Sequence, residues 1–357
     1  MCSPNYFGKF DFYTTVGNEI NSTLDNAPLI SYVRGLYNGL STINMSAATD
    51  LLEVAFPGTT QLNSLNTEGM RSLRSVNLRD CVNLRGALKL SNANFLHTLD
   101  ISNTSLQEII LPSAGTLRVL NASNTKLSSL TITEQTQLET LNLSDSTQLS
   151  VCNISKCDSL EELTITGSQL VSLVVENCQN LKKVILSNNN LLTNVSFTGC
   201  PNVQIVDLSG CQNTQFAQYT ENQPATGPAS CVDLSSLENL EVLNLSNSSA
   251  QVVMLSDNAH ALTDIDASDS QWMQTVYKTS TGFIYGMKTF NSRQNNPVVP
   301  VIDLSRFKNL QRVTFKGNAY VKAIDGLVYA GPTSQMFYQC RSLYSVSGEI
   351  TFTQSSN

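Results

Sequence analysis

Between Leu138 and Cys178, apolar and polar positions alternate in one repeated frame. Leu138, Leu141, Leu143 and Ser146 occupy LxxLxLxxS, and Leu149, Cys152, Ile154 and Cys157 follow as LxxCxIxxC. Leu160, Leu163, Ile165 and Ser168 restate the first half; Leu170, Leu173, Val175 and Cys178 restate the second. The half-period is about 11 residues and the full period about 21 to 22, the range of stacked coils. Within each half, the apolar fourth and sixth positions are the period-2 mark of a short strand. One coil therefore predicts two strands, one for each of two parallel sheets. The frame opens at Leu40-Ile43-Met45-Ala48 and passes through Leu51-Val54-Phe56-Thr59 and Leu62-Leu65-Thr67-Met70. From Leu73 it runs on through leads at Leu96, Leu117, Leu138, Leu160, Leu181, Val203, Leu240, Leu262 and Leu310, and Leu343 opens another. About a dozen such coils make a continuous core. The expected fold is mainly β, and nearly straight because the two strands of a coil are similar in length.

Residues 1 to 39 fall outside this frame. Leu29, Tyr32, Val33, Leu36, Tyr37 and Leu40 recur at helical spacing, with Asn26 as N-cap, Pro28 in the first turn and Gly39 as stop. They predict an N-terminal capping helix over the first rung, or a docking segment for a partner. Residues 40 to 357 form the solenoid, interrupted at 212 to 230 and at 271 to 301. In frame, both insertions leave from one corner, two rungs and about 10 Å apart. The longer one gathers Trp272, Met273, Tyr277, Phe283, Tyr285, Met287 and Phe290, including the one Trp of the chain. Tyr219, Trp272, Tyr277, Phe283 and Tyr285 are candidate anchors of a composite contact surface. The same aromatics could instead form a local mini-core against the solenoid. The C-terminal stretch Ile350-Thr351-Phe352-Thr353 is strand-like with no cap after it, so the chain is expected to continue or to dock there on a partner.

After each first-half strand comes a polar triplet, such as Ser102-Asn103-Thr104, Ser123-Asn124-Thr125 or Ser187-Asn188-Asn189. Its middle residue is Asn, Asp or Gly, as a turn through positive φ requires. Its last residue should point inward and satisfy neighbouring backbone. The fifth, outward position reads Asn77, Asp100, Asn121, Asn142, Thr164, Ile185, Asp207, Asn244, Asp266 and Thr314. It forms a polar column that either solubilises the sheet or carries a ligand.

The first-half frame resembles the LxxLxLxx(N/T/C)xL core of the leucine-rich repeat family, as at Leu96, Leu99, Ile101, Thr104 and Leu106. The CxxL after the second strand (Cys157 to Leu160, Cys178 to Leu181) and the Met336 to Leu343 segment resemble its irregular bacterial BspA-like branch. The resemblance covers roughly residues 40 to 350. It implies a solenoid whose first sheet carries the ligand, which makes Asn121, Asn142, Asp207, Asn244 and Asp266 candidate binding residues.

Composition narrows the chemistry. Charged residues make up 14% and the net charge is −7, a surface that repels phosphate backbones, so no nucleic-acid partner is expected. No run of about 18 apolar residues occurs, so no membrane span is expected. The two histidines, His97 and His260, lie many coils apart, which leaves no His-dependent nucleophile. Gly-rich phosphate loops and calcium loops are missing, and outward acids such as Asp207 and Asp266 read as solvated strand-face residues before they read as a glycosidase pair. No catalytic group, cofactor or metal is expected. The nine cysteines sit mostly at core positions as small apolar fillers. Cys157, Cys178 and Cys200 would stack on adjacent rungs, where disulfides are conceivable but reduced thiols are the expectation. Asn121, Asn142 and Asn244 each begin an N-x-Ser sequon in mid-sheet, where a glycan would obstruct the face. With no basic, apolar leader at the N-terminus, synthesis in a reducing cytoplasm is expected, and a bacterial or viral origin. The functional expectation is a non-enzymatic recognition scaffold with protein partners: a bacteriophage tail or baseplate component, exposed on the virion and contacting other virion proteins or a host receptor. A bacterial surface or secreted adhesin is the alternative, and a carbohydrate-active enzyme stands third.

Overall fold

The computed structural model describes residues 40–44, 46, 48–218, 231–272, 274–285 and 287–288, with the short strands 9–11, 19–21, 32–34, 299–300, 312–314 and 345–347. It is a parallel β-solenoid, with no helix among the described residues. The chain forms two compact units, residues 1–170 with 177–179, and residues 171–176 with 180–357.

In the first unit, one sheet runs Lys9–Asp11, Tyr32–Arg34, Glu53–Ala55, Ser75–Asn77, Thr98–Asp100, Val119–Asn121, Thr140–Asn142, Glu162–Thr164. Neighbouring strands are all parallel and in register, so Val54, Val76, Leu99, Leu120, Leu141 and Leu163 stack in one column. The strands are three residues long because only the frame's fourth position turns inward, between two outward neighbours. The sixth position lies past the strand end, and its N–H reaches the next rung: Leu143 donates to the Thr164 carbonyl at 3.1 Å. The second sheet of this unit comes in pieces: Glu19–Asn21 with Thr42–Asn44 and Ser64–Asn66, Arg85–Lys89 with Ser105–Ile110, and Ser129–Thr133 with Val151–Ser155. A register shift between Leu106 and Glu108 marks the middle piece.

In the second unit, the first sheet runs Lys183–Ile185, Ile205–Asp207, Val242–Asn244, Asp264–Asp266, Arg312–Thr314, Ser345–Ser347. The second sheet runs Ser172–Glu176, Asn194–Thr198, Val232–Leu234, Val252–Ser256 and Gln274–Thr279, and ends with Gly282–Tyr285 folded back antiparallel. Leu141, Leu143, Leu163, Ile165, Leu173 and Val175 are all at most 1% exposed, as the frame requires. Each such side chain contributes about 1.5 to 3 kcal/mol of apolar burial.

The corners follow the triplets. Asp80, Asn103, Asn124, Asp145, Asn188, Asn247 and Asp269 all have positive φ. At Gly167 (φ +61°) a Cβ would lie 2.8 Å from Asp145 Oδ1, so the neighbouring coil leaves little room for a side chain there. The third triplet residue turns in and caps backbone: Thr104 Oγ1 donates to Ile101 O at 2.8 Å, Thr125 Oγ1 to Ala122 O at 2.9 Å, and Asn189 Nδ2 to Leu186 O at 2.8 Å.

Two expectations are corrected. The helix read over residues 29 to 40 is not formed at 32–34, which is a strand paired with both Lys9–Asp11 and Glu53–Ala55. Val33, fully buried, stacks on Val54, because a repeat contact is available to Val33 and overrides its local helical spacing. The insertions also have different limits. Phe216 and Ala217 are buried, and Gln251 N and Val252 N both donate to Ala217 O. The chain is therefore still part of the coil at Gln218, whose Nε2 donates to Ser249 O at 3.3 Å, and residues 219–230 lie outside the described residues. Residues 271 to 279 are not an excursion, since Gln274–Thr279 is the second-sheet strand of its own coil. One excursion thus enters the second sheet before a strand and the other leaves after one, instead of sharing a corner. The expected strand at 302–304 and the Met336 to Leu343 segment lie outside the described residues.

Candidate functional site

The outward column of the first sheet is built by the turns that follow it. Asp100 Oδ1 accepts from Ser102 N (3.0 Å) and Ser102 Oγ (2.6 Å), and Asn121 Oδ1 accepts from Ser123 N (3.3 Å) and Ser123 Oγ (2.9 Å). Asn77 and Asn142 make the same contact to the backbone two residues on. In the second unit Asp207, Asn244 and Asp266 repeat it at 2.8 to 2.9 Å. Short Asx side chains suit these places because their Oδ1 reaches the amide at i+2; Thr164 and Ile185 fill the same position on two rungs. The sequence reading missed this role, although the Asn/Asp-x-Ser spacing carried it. The contact occupies Oδ1 and leaves the Nδ2 groups of Asn77, Asn121 and Asn142 free of partners among the described residues. Each becomes an oriented donor on a half-buried, regular face. Thr314 continues the column in register with Asp266.

The aromatic candidates divide. Trp272 and Tyr277 are fully buried, and Trp272 Nε1 donates to Gln274 O at 3.0 Å. They are core residues with no surface open to a partner. Trp272, Thr275 and Tyr277 in fact keep the lead, fourth and sixth spacing of the frame with larger side chains. Phe283 is half-buried against Val252, Met254, Val276 and Cys231 on the outer side of the second sheet, the mini-core form of the expectation. Tyr285 lies in the returning strand; Tyr219 lies outside the described residues.

The described cysteines are thiols, all buried except the half-buried Cys231. Burial pushes Cys81 up to about 11 and Cys152, Cys211 and Cys231 up to about 12. Cys157 is lowered instead, chiefly by a hydrogen bond with Cys178. Cys81, Cys152 and Cys211, buried and raised, are packed groups with little thiolate at neutral pH. Among the described residues no cluster of three or more His, Cys, Asp or Glu could hold a metal ion, and no helix is long and apolar enough to cross a membrane. Four ion pairs occur among them, each with an exposed partner, such as Lys156 Nζ with Glu134 Oε1 at 2.6 Å.

No protein-family profile and no curated protein matches the chain. Among solved structures it is similar to the plant peptide hormone receptor RGFR1 in complex with RGF2, at 17% identity and TM-score 0.34, covering 93% of this chain and 57% of the receptor's. It is also similar to a leucine-rich repeat protein of Leptospira interrogans (13% identity, TM-score 0.29, 92% of this chain and 93% of that one). A leucine-rich repeat protein of Bacteroides ovatus gives 13% identity and TM-score 0.18, over 96% and 94%. Two of the three are leucine-rich repeat proteins, the family whose frame this sequence resembles. None carries a residue role across to this chain.

Proposed function

We propose that the chain is a non-enzymatic protein-recognition scaffold whose contact surface is the outward face of its first sheet. The observation that supports this reading is the Asx column. Most rungs carry one Asn or Asp pinned by its own turn, so the face presents fixed amide and carboxylate groups on rungs about 4.8 Å apart with little entropy left to lose on binding. Asn121 and Asn142 are its centre in the first unit, and Asp207, Asn244 and Asp266 its counterpart in the second. Thr98→Arg with Thr140→Arg obstructs this face without touching a turn. A matched control, Thr131→Arg with Asn153→Arg, lies on the second sheet. Affinity capture from the native source should yield a protein held by the wild type and the control and lost from the face variant. Identical capture by all three would remove the face from consideration.

For the setting we propose a tail or baseplate component of a bacteriophage virion, on the low charge, the Asn/Ser/Thr-rich surface and the thiol-rich core. Immunoblotting of purified particles should find the chain in the tail fraction. Its presence on bacterial envelopes, with none in particles, would favour the adhesin instead.

A further inference from the structure

The residue before each first-sheet strand forms a column of its own. His97 N donates to Arg74 O, Arg118 N to His97 O, and Glu139 N to Arg118 O, each at 2.8 Å. Arg74, His97, Arg118 and Glu139 are therefore stacked on four successive rungs of the first unit, about 4.8 Å apart. Arg74 and Arg118 are exposed, and neither belongs to an ion pair among the described residues. Their backbones are two rungs, about 10 Å, apart, with His97 on the rung between them, its half-buried ring holding Nδ1 3.1 Å from Thr116 O. Beside this column lie the Ser75 and Thr98 hydroxyls, linked at 2.9 Å, and beyond them the free Nδ2 donors of Asn77 and Asn121. In a chain of net charge −7, two guanidiniums without an ion pair stand out on this rim; the one carboxylate beside them, Asp100 between Asn77 and Asn121, has its Oδ1 closed onto Ser102. At Glu139 the sign of the column reverses.

We propose that the Arg74–His97–Arg118 rim is a binding site for an acidic polypeptide segment laid along the rungs. Guanidinium forks match carboxylates two hydrogen bonds at a time, and an extended segment places same-side carboxylates about 7 Å apart, within reach of both arginines. The aromatic side chain that this face carries among its described residues, Tyr32, lies two rungs from the Ser75 strand with Arg34 over its ring at 5.5 Å, so no open ring adjoins the arginines to stack a sugar, which favours polypeptide over acidic glycan. Glu139 limits the extent of the site, since an acidic segment that continues past Arg118 meets a negative charge. The inference rests on the protein-recognition reading. It is measured on purified chain with a defined probe, so it succeeds or fails whether or not a natural partner is captured.

The probe is a fluorescent oligoglutamate of about ten residues, titrated with the full chain at low and at physiological salt. Binding should weaken with salt. Arg74→Glu with Arg118→Glu should weaken it at least tenfold. Arg85→Glu with Lys126→Glu, the same charge change elsewhere on this unit, should leave it within twofold, both variants keeping the wild-type melting curve. Three results would overturn the assignment: no oligoglutamate binding by the wild type, equal loss in both variants, or heparin oligosaccharide binding at least tenfold tighter than oligoglutamate. The last would make the rim a glycan site.

Discussion

A single amide at Asn121 serves two sides of the sheet plane: its oxygen closes the following turn at Ser123 while its nitrogen stays available. Asn121→Ala should cost about 1 kcal/mol, the worth of an ordinary hydrogen bond. Asn121→Asp keeps the acceptor and should be close to neutral in chemical denaturation. Leu163, fully buried, should behave differently: Leu163→Ala should cost about 2 to 5 kcal/mol, and a near-neutral melting shift would contradict its place in the core. The thiols predict a pH dependence. Cys81, Cys152, Cys211 and Cys231 are raised from 9.0 to about 11 or 12 in the fold. Below pH 9 the folded and unfolded states both hold these protons. Above it the unfolded chain loses them first, so stability should fall by about 1.4 kcal/mol per pH unit for each thiol until the folded values are reached. A melting temperature flat from pH 8 to 10.5 would contradict that burial. Alkylation of the denatured, unreduced protein should label Cys157, Cys178 and Cys200 alike.

Elements were legible wherever Leu, Ile, Val or Cys marked the frame, and hidden where other side chains filled the same places. Trp272, Thr275 and Tyr277 are the clearest case, because aromatic side chains at lead and sixth positions look like an exposed cluster until the neighbouring strand Val252–Ser256 is seen beside them. The error at Val33 has another origin: helical spacing over 29 to 40 is a local signal, while the pairing with Val54 joins residues one coil apart. The Asx turns were legible in principle, since Asn/Asp-x-Ser recurs at Asp100, Asn121, Asn142, Asp207, Asn244 and Asp266. The hairpin at 279–282 was not, as nothing in the repeat prescribes a return strand. Two replacements separate these parts. Exchanging residues 271 to 300 for a Gly-Ser turn removes a core strand and should destabilise the second unit. Exchanging only 286 to 300 spares Gln274–Thr279 and its hairpin, and should leave the melting temperature nearly unchanged.

Across the whole molecule, contacts are made between a coil and its immediate neighbours, so a perturbation should stay local. Leu120→Ala should lower hydrogen-exchange protection at 98–100 and 140–142 well before it does so at 53–55, whereas uniform loss would mean that the first unit opens as one. The same economy governs heredity. At the corner of the first unit, Asn124 Nδ2 donates to Asn103 Oδ1 at 2.9 Å and Asn103 Nδ2 to Asp80 Oδ1 at 2.7 Å, over separations of 21 and 23 residues. Because each coil offers its neighbours nearly the same donors and acceptors above and below, unequal recombination that adds or removes one whole coil recreates this ladder at the junction. The corners absorb differences of one or two residues, but loss of a single codon within a strand turns its inward residue outward. Removing residues 119 to 139 should therefore leave a foldable protein, while removing Thr140 alone should not. Such a lineage lengthens and shortens in whole coils, and its reach along the axis can be selected without redesign of the core.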